Sequence, residues 1–155
     1  LQSITLFYGT GTDSIIKTDC EAGINKECVF ENVDLSAYEG QYINFWFNVT
    51  DIVRTVKSRV TRVKVDTTAP VLTVYMPEET NYGRKVPFNI TVSEEVKLEY
   101  YDNSELRPRW RTLCTRCEEY EKNKAFTRDG HDILIRALDK AGNSDIEEIE
   151  FVVDY

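Results

Sequence analysis

The sequence contains one histidine, one methionine, four prolines and seven glycines in 155 residues. A single histidine cannot build a paired-histidine metal motif. It leaves any nucleophilic constellation with one base, and no Gly-x-Ser-x-Gly elbow or phosphate-cradling loop accompanies it. His131, between Gly130 and Asp132 at a strand entrance, is expected to sit at the surface. No apolar run approaches the roughly eighteen residues of a membrane span, so direct membrane insertion is not expected. No stretch shows a capped 3.6-residue periodicity, which removes helical classes. The formal net charge of -8 opposes binding to nucleic-acid phosphates. The chain opens on Leu1 without Met or a signal peptide, and is expected to be a mature or excised piece. These absences point away from an enzyme.

A hydrophobic fraction of 41% and an aromatic fraction of 12% mark a folded chain. The chain also repeats itself. Asp51 and Asp66 stand fifteen positions apart, as do Asp139 and Asp154. The run from Tyr42 to Val49 parallels that from Ile133 to Ala137, each preceded by a glycine, Gly40 and Gly130. Ile4–Tyr8 matches Val96–Tyr100. The second copy has a further stretch upstream, 67–95, for which the first has no counterpart. Two units follow, 1–66 and 67–155, the first lacking its opening strands.

Strand patterning dominates. Val86, Phe88, Ile90 and Val92 alternate onto one face, as do Ile43, Phe45, Phe47 and Val49. In sandwich lettering the second copy supplies A near 71–75, B near 86–93, C near 96–101, F near 133–138 and G near 146–153. The first supplies C near 4–8, F near 42–50 and G near 56–65. The expected fold is all-β, two tandem Ig-like β-sandwich domains.

Asp66-Thr67-Thr68-Ala69-Pro70 before an alternating strand resembles the inter-repeat junction of prokaryotic Ig-like and fibronectin-III-like surface proteins. Ile135–Asn143 resembles the F–G hairpin of the same repeats, and the Leu113–Cys117 insert is similar to one in large archaeal surface proteins. The resemblance covers most of the chain. It implies a non-enzymatic structural or adhesive segment of an extracellular, cell-surface protein. Its partners would be other copies of itself, adjacent repeats, or a cell-surface protein or glycan. An alternative is a subunit of an extracellular filament or surface layer assembled by donor-strand completion, because Ile43, Phe45 and Phe47 would lack part of their cover. Another is a carbohydrate-binding accessory module of a secreted enzyme, resting on exposed Trp46, Trp110 and Tyr120.

Cys20 with Cys28 and Cys114 with Cys117 are local pairs, and disulfides within each copy are the simplest of three connectivities. Metal binding or free thiols are the other readings. Asn48-Val49-Thr50 and Asn89-Ile90-Thr91 are glycosylation sequons on the polar faces of their strands. No cofactor is required. Asp66, Asp139, Asn143 and Asp145 form a candidate calcium set, although Asp and Asn are ordinary turn residues. Finally, Arg54, Lys57, Arg59 and Arg62 stand against Asp145, Glu147 and Glu150, with Lys57 aligned to Asp145, Arg59 to Glu147 and Arg62 to Glu150. Opposite signs there suit a contact between copies; solvated edges that discourage strand pairing are the plainer reading.

Overall fold

The computed structural model describes residues Leu1–Tyr155. The chain divides into two units, Leu1–Thr67 and Thr68–Tyr155. It is all-β apart from one 3-10 turn at Ser36–Tyr38, and no helix is long and apolar enough to cross a membrane.

The first unit is a five-stranded antiparallel sheet of β1 (Ser3–Tyr8), β2 (Asp13–Lys17), β3 (Tyr42–Thr50), β4 (Thr55–Lys57) and β5 (Thr61–Lys64). β2 pairs β1, β1 pairs β3, and β4 and β5 follow one another along the far edge of β3. The alternation places Leu6, Ile43, Phe45, Phe47 and Val63 on one face. Phe7, Tyr42, Asn44, Trp46, Asn48, Lys57, Arg62 and Lys64 share the other.

No second sheet covers the apolar face. The segment 18–39, cross-linked between Cys20 and Cys28, lies there instead. Phe30 packs against Phe47 with ring centroids 5.7 Å apart. Val29, Val33 and Leu35 join the inward residues around a cavity of about 420 Å³. The expectation that Ile43 lacks part of its cover is therefore corrected, for it is 5% exposed, while Phe45 and Phe47 are half-buried. A disulfide-closed loop covers the face that a second sheet would cover in a sandwich.

The second unit comprises β6 (Leu72–Met76), β7 (Asn81–Tyr82), β8 (Lys85–Asp102), β9 (Arg111–Ala125), β10 (Asp129–Leu138) and β11 (Ser144–Val153). The order is β6-β8-β10-β11-β7, with β9 also on β8. Strands B and C, expected as separate elements, are one 18-residue strand. The N-terminal half of β8 pairs with β6 and the end of β9; its C-terminal half pairs with β10 and the start of β9.

That strand folds over on itself. Phe88 and Tyr100 are twelve residues apart, about 40 Å in a straight strand, yet their ring centroids lie 6.0 Å apart. Its two halves therefore form opposite walls of one core. Val86, Phe88, Ile90, Leu98 and Tyr100 meet Ile133, Ile135, Ala137, Phe151 and Val153 there. The bend falls where the β8–β9 register slips, between Thr91 and Glu99. Cys117 faces Val96 and Thr115 faces Lys97, which leaves Arg116 as an extra residue with φ 58°. The Cys114–Cys117 disulfide spans this bulge.

The order β9-β8-β10-β11 in the second unit matches β2-β1-β3-β4 in the first. The cores differ, however. Only Leu6, Ile43 and Val65 are buried apolar side chains of the first unit, whereas the second has a continuous cluster. Chemical denaturation is expected to proceed in two steps, with the amides of β1–β5 losing hydrogen-exchange protection first; one cooperative transition would contradict this. Replacing Cys114 and Cys117 by Ser is expected to lower the stability of the second unit by about 2 kcal/mol, read from the second step.

Candidate interaction surface

Five of the seven basic residues of the first unit gather on the β4–β5 edge. Lys57 lies opposite Asn48, Arg62 opposite Asn44 and Lys64 opposite Tyr42, all on the outer face. Arg54 and Arg59 flank these short strands and are exposed. Two cations are fixed by rings: the Lys57 ammonium is 4.3 Å from the Trp46 ring centre, and the Arg62 guanidinium 4.4 Å from that of Tyr42. Such cation–π contacts hold long side chains in one place at an exposed site.

Trp46 faces outward as expected and is half-buried. Phe7 of β1 stacks on it at 5.3 Å and 8°, while Lys57 reaches it from β4 on the other side of β3. Gly11 (φ +93°) makes room for the indole, since a Cβ there would stand 3.0 Å from it. Of the other aromatics expected at the surface, Tyr120 is buried in the core because its register points it inward from β9. Trp110 is half-buried, packed on Tyr101 at 5.4 Å with the Arg136 guanidinium 3.9 Å from its ring centre.

The acidic residues lie on β11. Asp145 and Glu147 belong to its inward face, with Ile149, Phe151 and Val153; Glu148 and Glu150 belong to its outward face. This corrects the sequence alignment of the charges. Lys57 points outward and Asp145 inward, so they are not equivalent. The break between β4 and β5 at Ser58–Val60 shifts the count, with the Ser58 N–H bonded to the Phe47 carbonyl. Ile43 pairs with Val63 as Ile133 pairs with Ile149. In that register Arg62 corresponds to Glu148 and Lys64 to Glu150.

The candidate calcium residues are engaged within the fold. Asp139 Oδ1 accepts from the N–H groups of Gly142 and Asn143, and its Oδ2 from Asn143 Nδ2. Asp145 Oδ2 accepts from the Leu72 N–H and its Oδ1 from the Ile146 N–H. The turn residues thus brace their own backbone and that of β6 instead of converging on one point. A carboxylate oxygen of Glu94 does lie within 4.8 Å of one from Asp139. Asp66 belongs to the first unit. Burial pushes the Asp139 carboxyl up, but hydrogen bonds from Asn143, Gly142 and Ala141 outweigh it and hold it below its ordinary value.

His131 is not at the surface but buried, 6% exposed. Its Nδ1 is 2.7 Å from Asp102 Oδ2 and its Nε2 3.0 Å from the Thr127 carbonyl. Phe126 and Phe151 enclose the ring. The alternation that carries Ile133 and Ile135 inward carries His131 with them, and Asp102 comes from the end of β8. A catalytic pair of this type offers Nε2 to a nucleophile; here a backbone carbonyl occupies that place.

On the outer face, Glu99 is 4% exposed and ion-paired with Lys97 at 2.5 Å and Arg136 at 2.6 Å. Burial pushes its carboxyl up, and the Lys97 and Arg136 hydrogen bonds and charges prevail, leaving it lowered. A hollow of about 1020 Å³ between the 104–111 and 127–131 segments brings Arg107, Arg109 and Arg128 to one end of this unit, a grouping that spacing alone did not reveal. Both sequon asparagines are half-buried on mid-sheet strands, and Asn48 Oδ1 is buried without a hydrogen-bond partner. Asn48 is thus less accessible than its outward position implied.

No family model matches the chain, and the search of curated proteins finds no match. Among solved structures, the chain is similar to one described as "Structures of Clostridium thermocellum CbhA fibronectin(III)-like modules", with a TM-score of 0.54 and 15% identity over 99% of this chain and 78% of that one. The fold is fibronectin-III-like.

Replacing His131 by Ala is expected to cost about 3 kcal/mol, because it strands the buried Asp102 carboxylate; denaturant midpoints measure it. The depressed carboxyls of Glu99 and Asp139 stabilise the fold above their unfolded values, and that contribution disappears as pH falls through the folded ones. Stability should therefore fall as pH drops below the ordinary Glu value of 4.5 and on through the lowered folded values, and less steeply in Glu99→Gln.

Proposed function

We propose that the chain is a non-catalytic structural segment of an extracellular protein built from fibronectin-III-like modules, with an adhesive role at the cell surface. The observation that carries this reading is the shared strand order of the two units within a fibronectin-III-like fold. That order fits two copies of one repeat, the first remodelled around its disulfide-closed loop. Disulfides confined to each unit fit an oxidising compartment. The capping of His131 Nε2 by a carbonyl supports a structural role for that residue. The archaeal reading rests on the Leu113–Cys117 insert, and the 66–70 junction supports a prokaryotic surface protein more broadly. No cofactor enters this role.

The carbohydrate-binding reading gains little from Trp46. A sugar stacks on a bare ring face, and Phe7 and Lys57 flank this ring from both neighbouring strands.

Exporting the chain into an oxidising compartment and mapping peptides without reduction is expected to recover Cys20 with Cys28 and Cys114 with Cys117. Glycan, peptide and ester substrates should remain unconverted. Free thiols in the exported protein, or a turnover abolished by His131 replacement, overturns the proposal.

A further inference from the structure

Two edges of this chain are open and oppositely charged. β5 pairs with β3 along one side only. β11 pairs with β10 along its length, and on its other side β7 reaches only Val152 and Val153. The Val65 N–H bonds to the Gln41 carbonyl, and the Gly40 N–H to the Val65 carbonyl. Residues 61, 63 and 65 thus spend their backbone groups on β3, and by alternation Arg62 and Lys64 aim theirs outward. On β11 the Val152 and Asp154 N–H groups bond to Thr80 and Tyr82. The same alternation turns the backbone groups of Glu148 and Glu150 to that side, beyond the end of β7.

We propose that β5 of one copy pairs antiparallel with β11 of a second copy, Arg62 opposite Glu150 and Lys64 opposite Glu148. Several independent features meet in this register. The residues whose backbone groups point outward on each edge oppose one another, forming up to four ladder hydrogen bonds. Arg62 and Lys64 lie on the outer face of their sheet, and Glu148 and Glu150 on the outer face of theirs, so opposite charges become direct cross-strand neighbours. The intervening Val63 and Ile149 both belong to inward faces, and Val63 is 41% exposed without such a partner. Arg62 is already held over Tyr42, which lowers the cost of ordering it.

The charges also select the pairing. Two β5 edges repel, as do two β11 edges, so only the unlike pair forms. An interface between different patches is head-to-tail, and it generates rings or open chains of copies instead of closed dimers. The inference rests on edge geometry and holds whether or not the extracellular reading does.

The test is light scattering across concentration up to roughly 1 mM at low salt, where weak contacts are read. Wild type is expected to grow beyond its 18.0 kDa monomer. Arg62→Glu with Lys64→Glu, and separately Glu148→Lys with Glu150→Lys, should each stay monomeric while keeping the wild-type far-UV circular dichroism. Mixing the two variants should restore growth, because each then offers the other a complementary edge. A wild type that stays monomeric overturns the proposal. So do variants that still associate alone, or a mixture that does not associate.

Discussion

The fold-over of β8 is the constraint from which the second unit follows. A strand carrying Val86, Phe88 and Ile90 at one end and Leu98 and Tyr100 at the other can bury both sets only against each other. To do so it must bend, and a paired ribbon bends where one strand carries an extra residue. Arg116 is one such residue, in a left-handed conformation that a non-glycine adopts at a cost, and the ladder also skips Leu113 and leaves 92–95 of β8 unmatched. The Cys114–Cys117 link holds the two sides of the bulge together. β6, β10 and β11 then attach to walls already set by the ribbon. The buried His131–Asp102 pair closes one end of the same core, joining the last residue of β8 to β10.

The first unit meets the same shortage of core by another route. It has one sheet, and its apolar face is closed by a loop that a disulfide shortens. Loops make poorer walls than sheets, because their backbone groups need hydrogen-bond partners that a strand ladder supplies automatically. A cavity therefore remains between Phe30, Phe45, Phe47 and their neighbours. Local disulfides in both units supplement cores too small to stand on burial alone.

Polar groups in the second unit mostly stiffen the fold. Asp139 organises the β10–β11 turn, which Gly142 enters with φ +100°; Asp145 ties β11 to β6, and Glu99 binds two cations across the outer face of the sheet. On the β4–β5 and β11 edges, by contrast, charged side chains stand beside backbone groups turned away from the sheet, and these are the surfaces suited to a partner.

The sequence by itself determined the all-β class and the inward residues of β3, of β8 at Val86–Ile90 and of β10 at Ile133–Ala137, and it offered the local cysteine pairs as the simplest connectivity, because a period of two and short spacings are local properties. Only tertiary structure decided that 85–102 is one bent strand. The polar stretch Ser93-Glu94-Glu95 reads as a turn, yet the strand runs on through it, carried by the ladders on either side, where Thr91 pairs with Glu119 and Val96 with Cys117. Likewise, the burial of His131 depends on Asp102, twenty-nine residues away, and on Phe126 and Phe151. The true correspondence of the charged edges depends on a break at Ser58–Val60 that no alternation pattern announces. Faces can be read from periodicity, but register and bends are settled by partners distant in sequence.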